Sequence, residues 1–276
     1  MGHSMARDSL IAFTGPEKRG KTFWLLDAAW RAMRSRLRVV FFAVGDMSQD
    51  QMMHRFIQRG SRQPLKVCKY DYPKEIIRDH QDPDASVVMI TKSQKNDLSA
   101  GKAQQKLERV QKTLRAKESR LKLSCWPNDT INVSGIRDEL SLLEREGWVA
   151  DVIVIDYADI LAPPAGVTEF RHQQNKTWQQ LRSLSQEKHA LVITATQSDA
   201  KSYEVRTVTR KNFSEDKRKM AHATGIIGLN QQPAEKDQGV MRLNWVVRRD
   251  AYANEWNCVH VAGCLVISNP AVVSCW

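Results

Sequence analysis

A chain of 276 residues with 42% hydrophobic and 26% charged residues has an ordinary globular composition and can bury a full core as one large or two small domains. Forty-two Lys and Arg against 31 Asp and Glu leave a formal charge of +11, an excess that favours a polyanionic partner such as nucleic acid or a nucleotide. No apolar run approaches the roughly 20 residues that span a bilayer. Cys68, Cys125, Cys258, Cys264 and Cys275 form no C-x-x-C pair, so they read as reduced thiols of a cytoplasmic protein, not as zinc ligands or a disulfide framework.

The opening MGHSMA reads as an expression tag over residues 1–5, with 6–276 as a single domain. SLIAFT (9–14) predicts a buried strand running into a glycine loop, and 21–35 a helix with Leu25, Ala28, Ala29 and Ala32 on one face. RVVFFAV (38–44) is the next strand. A helix follows with Ser48 as N-cap and Gly60 just past its end. VVMIT (87–91) suggests a strand within the less regular, divergent or inserted segment 61–130. Residues 102–122 predict a long helix with eight Lys or Arg and two Glu, either a solvated face or a nucleic-acid contact.

A helix over 134–147, opened by Ser134, leads into the apolar strand DVIVID, ending at Asp156. The pattern then gives a helix over 172–188 with Trp178, Leu181 and Leu184 inward, and a buried strand ALVITATQ (190–197). GIIGLN, GVMRLNWVV and CVHVAGCLVIS predict successive strands, partly antiparallel. The alternation of strands and helices predicts an α/β fold with a largely parallel sheet flanked by helices.

One motif carries chemistry directly. GPEKRGKTF fits G-x-x-x-x-G-K-[ST] between a strand and a helix, the context in which backbone N–H groups and a helix dipole cradle phosphates. Gly15, Pro16, Glu17, Lys18, Arg19, Gly20, Lys21, Thr22 and Phe23 are therefore the expected ATP-binding residues. Lys21 would reach the β- and γ-phosphates, and Thr22 would ligate Mg²⁺. Asp156, at the tip of a buried strand, is placed to hold the same Mg²⁺ through water; the alternative is an Asp that caps the next turn.

Taken together, GPEKRGKT, FFAVGDMSQDQMMHRF, VIVIDYADIL and VITATQ resemble the RecA-like motor domain of DnaB-type replicative DNA helicases, within the P-loop NTPase superfamily. The similarity runs through most of residues 9–250 and is weak in 61–130. It implies a RecA-like fold, ATP hydrolysis, and assembly as a homo-oligomeric, hexameric ring on single-stranded DNA, with RNA possible and a monomer possible for this chain alone. Asp46 matches the acidic residue that polarises water, where the family usually has Glu. Gln197 matches the γ-phosphate sensor, although its usual followers are replaced by Asp199 and Ala200. Arg249, with Arg248 as substitute, matches an arginine finger directed at a neighbouring subunit, with Val247 where the family has lysine.

Two segments are candidates for nucleic acid: 161–174, containing Arg171, and 198–219, containing Lys201, Arg206, Arg210 and Lys211 beside Tyr203 and Phe213. Basic residues interleaved with rings suit a single strand; a polar loop without ligand is the plain alternative. The chain reaches its first strand within ten residues, so the helicases' N-terminal domain and linker helix are expected to be missing. That leaves two further readings: a RecA-like ATPase that does not unwind, such as a recombination mediator or loader, or a regulatory module that binds nucleotide.

Overall fold

Alternation within the hydrophobic strands builds a two-sided core. The computed structural model describes residues 5–45, 47–64, 68–77, 88–96, 105, 108, 119–203, 205–213 and 217–275. Strand β1 (Leu10–Gly15) is buried along its whole length. Leu10 and Ala12 face one side, and Ile11 and Phe13 the other, as the period of two requires. β2 (Val39–Val44), β6 (Val152–Asp156) and β7 (Leu191–Gln197) split their side chains in the same way. Helices α1 (Lys21–Arg34) and α2 (Gln49–Ser61) cover one face through Leu25, Leu26, Met52 and Phe56. Helices α3 (Val133–Arg145) and α4 (Phe170–Glu187) cover the other through Ile136, Leu140, Trp178 and Leu181.

The nine-stranded sheet has the order β11-β10-β9-β8-β1-β7-β6-β2-β5. Here β5 is Leu121–Trp126, β8 Gly225–Asn230, β9 Val240–Arg248, β10 Cys258–Ala262 and β11 Ala271–Cys275. The run from β5 to β8 is parallel. β9, β10 and β11 are added antiparallel, so the sheet is the largely parallel one that the pattern predicts. β3 (Cys68–Ile77) and β4 (Val88–Asn96) form a separate antiparallel pair, and β4 contains most of the strand expected at 87–91. Two short helices complete the described elements, α5 (Lys217–His222) and α6 (Pro233–Asp237).

Several element ends differ from the sequence reading. Gly60 lies inside α2, and Arg62 takes the left-handed position at φ 53°. The helix continues because Arg59, buried in its last turn, pairs with Asp27 of α1 at 2.6 Å. α3 starts earlier than expected, with the side chain of Asn132 accepting the N–H of Gly135 at 3.0 Å, and Ser134 falls within the helix. Most of the helix expected over 102–122 lies outside the described residues; residues 105 and 108 are helical, but Leu121 and Lys122 belong to β5. There, Leu121, Leu123 and Cys125 pack on the α1–α2 side, a period of two. The strand expected through Ser268 stops at Ala262. Cys264 and Ser268 adopt φ 41° and 48° on either side of a 3₁₀ turn, which returns the chain as β11. No helix among the described residues is long and apolar enough to cross a membrane.

Candidate functional site

The parallel strands all end at one edge, and the glycine loop leaves it from the centre of the sheet, between β7 and β8. A Cβ on Gly15 would stand 3.2 Å from Cβ and O of Leu229, so this position holds glycine for lack of space. Gly20 precedes α1 at φ 76°, no side chain caps the helix, and no acidic residue occupies its first turn. The first N–H groups of α1 are thus left for an anion, and nothing there opposes the dipole. Lys21 is buried, and its Nζ donates to the carbonyls of Gly15 (3.1 Å) and Pro16 (3.0 Å). Burial lowers its pKa, opposed by the negative charges of Asp159, Glu17 and Asp156.

The rest of the loop is anchored at its sides. Glu17 and Lys18 are exposed, while Arg19 donates to the carbonyl of Gln231. The backbone N–H of Glu17 donates to the hydroxyl of Tyr203 at 3.1 Å, so the phosphate loop touches the segment that follows β7. Phe23 packs edge-on against Trp24, centroids 5.6 Å apart.

Asp156, at the tip of β6, is 4% exposed. Its carboxylate accepts a hydrogen bond from Thr22, and burial raises its pKa to about 6 against the lowering effects of Thr22, Arg55 and Lys21. Oδ1 of Asp156 has no protein partner. A buried carboxylate oxygen left unpaired is costly without a cation or donor to meet it, so Thr22 and Asp156 fit a divalent ion. Beside them lies a cavity of about 350 Å³, lined by Thr22, Gly45, Met47, Arg55, Asp156 and Tyr157 among others. Asp46 lies outside the described residues; its neighbours Gly45 and Met47 are on the wall of this cavity.

Gln197 ends β7 and is the register partner of Gly15. Its side chain is exposed, with Nε2 donating to the hydroxyl of Tyr157 at 3.2 Å. Its backbone N–H donates to Asp159 Oδ2 at 3.0 Å. The structure therefore brings Lys21, Thr22, Asp156 and Gln197 to one edge and adds Tyr157, Asp159 and Arg55, which the sequence reading did not select as site residues, and Tyr203, which it named only as a ring of the 198–219 segment. A faint signal existed for Asp159: it is the second acid of DYAD, and the 3₁₀ turn Ala158–Ile160 folds it back over the strand ends.

Arg248 and Arg249 lie at the opposite edge. Arg248 pairs in register with Gly225, and Gly225 with Ile11. From Ile11 to Gly15 along β1 is roughly 13 Å at the rise of a strand. The Arg248 guanidinium lies 5.7 Å from the Trp245 ring centroid, and Arg249 donates to the carbonyl of Ala221. Neither is placed to serve the chain's own phosphate loop.

Of the candidate nucleic-acid residues, Arg171 is exposed in the first turn of α4, and Arg206 and Lys211 are at least partly exposed. Arg210 is engaged: its Nε donates to Val246 O at 3.1 Å and lies 3.2 Å from Glu255. Lys201 falls in the 3₁₀ turn Ala200–Tyr203, its side chain outside the described residues. The backbone at Arg206 and Val208 is docked on the sheet. Asn230 Oδ1 accepts from Val208 N at 2.6 Å, and Asn244 Nδ2 donates to Val208 O at 2.9 Å. Arg242, paired with Glu235 at 2.7 Å, donates to Arg206 O at 2.8 Å.

Two solved structures share this architecture at low sequence identity. The chain superposes on a structure described as an ATPase domain with a TM-score of 0.69 and 14% identity, over 98% of this chain and 85% of that one. It superposes on a structure described as a DnaB-like replicative helicase and its interactions with primase with a TM-score of 0.70 and 15% identity, again over 98% of this chain. The chain spans 58% of that helicase's length. No family model and no curated protein sequence matches. The fold is thus the RecA-like fold of DnaB-type helicase ATPase domains, as the sequence motifs imply.

Proposed function

We propose that this chain is an ATP-hydrolysing motor domain that couples nucleotide turnover to binding and translocation along single-stranded DNA, as part of a DnaB-like homo-oligomeric ring. The observation that carries the reading is the Thr22–Asp156 pair beside Lys21, a buried carboxylate with one oxygen unpartnered at the mouth of an uncapped helix. The loop N–H groups and Lys21 bind the phosphates of ATP, Lys21 exchanging its two backbone carbonyls for phosphate oxygens. Thr22 and Asp156 would hold a divalent cation, whose charge would offset that of the bound phosphates. Asp46, between two cavity-lining residues, orients the attacking water. Gln197, the register partner of Gly15 at the neighbouring strand end, senses the γ-phosphate. Arg249, far from its own loop, completes the site of an adjacent copy, where it stabilises transition-state charge.

The test is the ATPase rate with and without single-stranded DNA, with mass measured in the presence of a non-hydrolysable ATP analogue. A DNA-stimulated rate is expected, abolished by Lys21→Ala. In the assembled state, Arg249→Ala should reduce turnover about 10³-fold while nucleotide binding persists. A monomer that hydrolyses ATP without DNA stimulation would sink the motor reading. ATP binding without turnover in either condition would support a regulatory module instead.

A further inference from the structure

The carboxylate of Asp159 serves two elements that the sequence places far apart. Oδ2 accepts from the Thr196 hydroxyl at 2.7 Å and from the Gln197 N–H at 3.0 Å. Oδ1 accepts from Lys219 Nζ at 2.7 Å. Both side chains are mostly buried, 16% and 13% exposed, so this ion pair is far less screened than a surface pair. Lys219 is on α5, the α-helix that closes the basic segment (198–219) that follows β7. It is fixed further by the Trp178 ring 6.0 Å away and by the Thr196 hydroxyl at 3.5 Å. Two residues on, the carbonyl of Ala221 accepts from Arg249, and His222 contacts Asn175 of α4 at 3.0 Å. One short helix thus meets the strand end that carries Gln197 on one side and the arginine of the opposite edge on the other.

We propose that Asp159 and Lys219 are positioning residues that lock the Gln197 strand end to α5, so that nucleotide occupancy at the phosphate edge is transmitted to the DNA-binding segment that α5 terminates. The inference rests on the motor reading above. A displacement of Gln197 on nucleotide binding must either carry Asp159 with it or break bonds to a largely desolvated carboxylate. Lys219 makes the first course the less costly one, because Asp159 without its cation would be a poorly solvated charge.

The experiment measures the affinity of a labelled single-stranded oligonucleotide by anisotropy, with and without a non-hydrolysable ATP analogue. For the unsubstituted protein the analogue should change DNA affinity about tenfold, within the usual range of coupling between sites. In Lys219→Met that ratio should fall to about twofold or less, while affinity for the analogue in the absence of DNA is unchanged. Lys219→Arg should restore the ratio, and thermal melting of all three proteins separates a coupling defect from misfolding. A ratio in Lys219→Met equal to that of the unsubstituted protein overturns the proposal. So does failure of Lys219→Arg to restore it when all three melt alike. If the unsubstituted protein binds no single-stranded DNA, the motor reading itself fails before any variant is compared, and the positioning role falls with it.

Discussion

Replacing Asp156 by Asn should stabilise the nucleotide-free protein while abolishing hydrolysis. Burial shifts the Asp156 carboxyl from its ordinary 3.8 to about 6, so between these values the folded state holds a proton that the unfolded state has released. Stability therefore falls as pH rises through that window, and the loss is complete above about pH 6. A shift of about two units corresponds to about 3 kcal/mol at neutral pH. An amide carries no such cost and retains an oxygen to accept from Thr22. In a domain this size, about 3 kcal/mol corresponds to roughly 6–10 °C in Tm. The assay is thermal melting of both proteins from about pH 3.5 to 8, bracketing the two pKa values, without nucleotide or divalent ions. The advantage of Asp156→Asn should be near zero at the acid end, grow between about pH 4 and 6, and then level off. A difference that does not vary with pH, or a variant less stable in the alkaline part of the range, would refute the assignment of Asp156 as a carboxylate held at a cost for cation binding.

Other consequences are as direct. Gly20→Ala places a Cβ where the nearest atoms are Phe23 Cβ at 3.8 Å and Met241 Cε at 4.0 Å, so it meets no clash and suffers only the left-handed backbone, about 1–2 kcal/mol. Denaturant unfolding checks the stability, and weaker ATP binding should accompany the loss. Arg242→Met strips the buried Glu235 of its cation and should destabilise by about 3–5 kcal/mol, whereas the double variant Arg242→Met/Glu235→Leu should recover most of that. Equal melting temperatures for the single and double variants would show that the unpaired Glu235 charge is not the cause of the loss.

The central parallel strands β1, β2, β6 and β7 were legible because they are continuous apolar runs bounded by loop residues, a pattern that buried parallel strands produce without help from neighbours; the edge strand β5, only half-buried, was not. The glycine loop was legible for a related reason: Gly15, Gly20, Lys21 and Thr22 lie close together in sequence, so a local pattern contains the whole phosphate cradle. Asp156 and Gln197 could be placed because each ends such a strand. Element ends were less legible where a tertiary contact decided them. α2 runs through Gly60 because Arg59 is buried against Asp27, and β10 stops where two residues of positive φ turn the chain back.

The sequence by itself determined the order of β1, α1, β2, α2, α3, β6, α4 and β7, the phosphate loop and the strand-end residues, since each depends on neighbours along the chain; it did not give β5, which it read in part as the end of a helix. Only the tertiary structure decided which strand ends share an edge. That sets Gln197 beside Gly15, leaves one oxygen of Asp156 without a partner, and puts Arg248 and Arg249 at the far end of the sheet. It also decided that Asp159 and Lys219, sixty residues apart, meet in a partly buried ion pair. No period or motif encodes such a contact, because crossovers between strands bring it about, and its strength comes from the water that packing excludes.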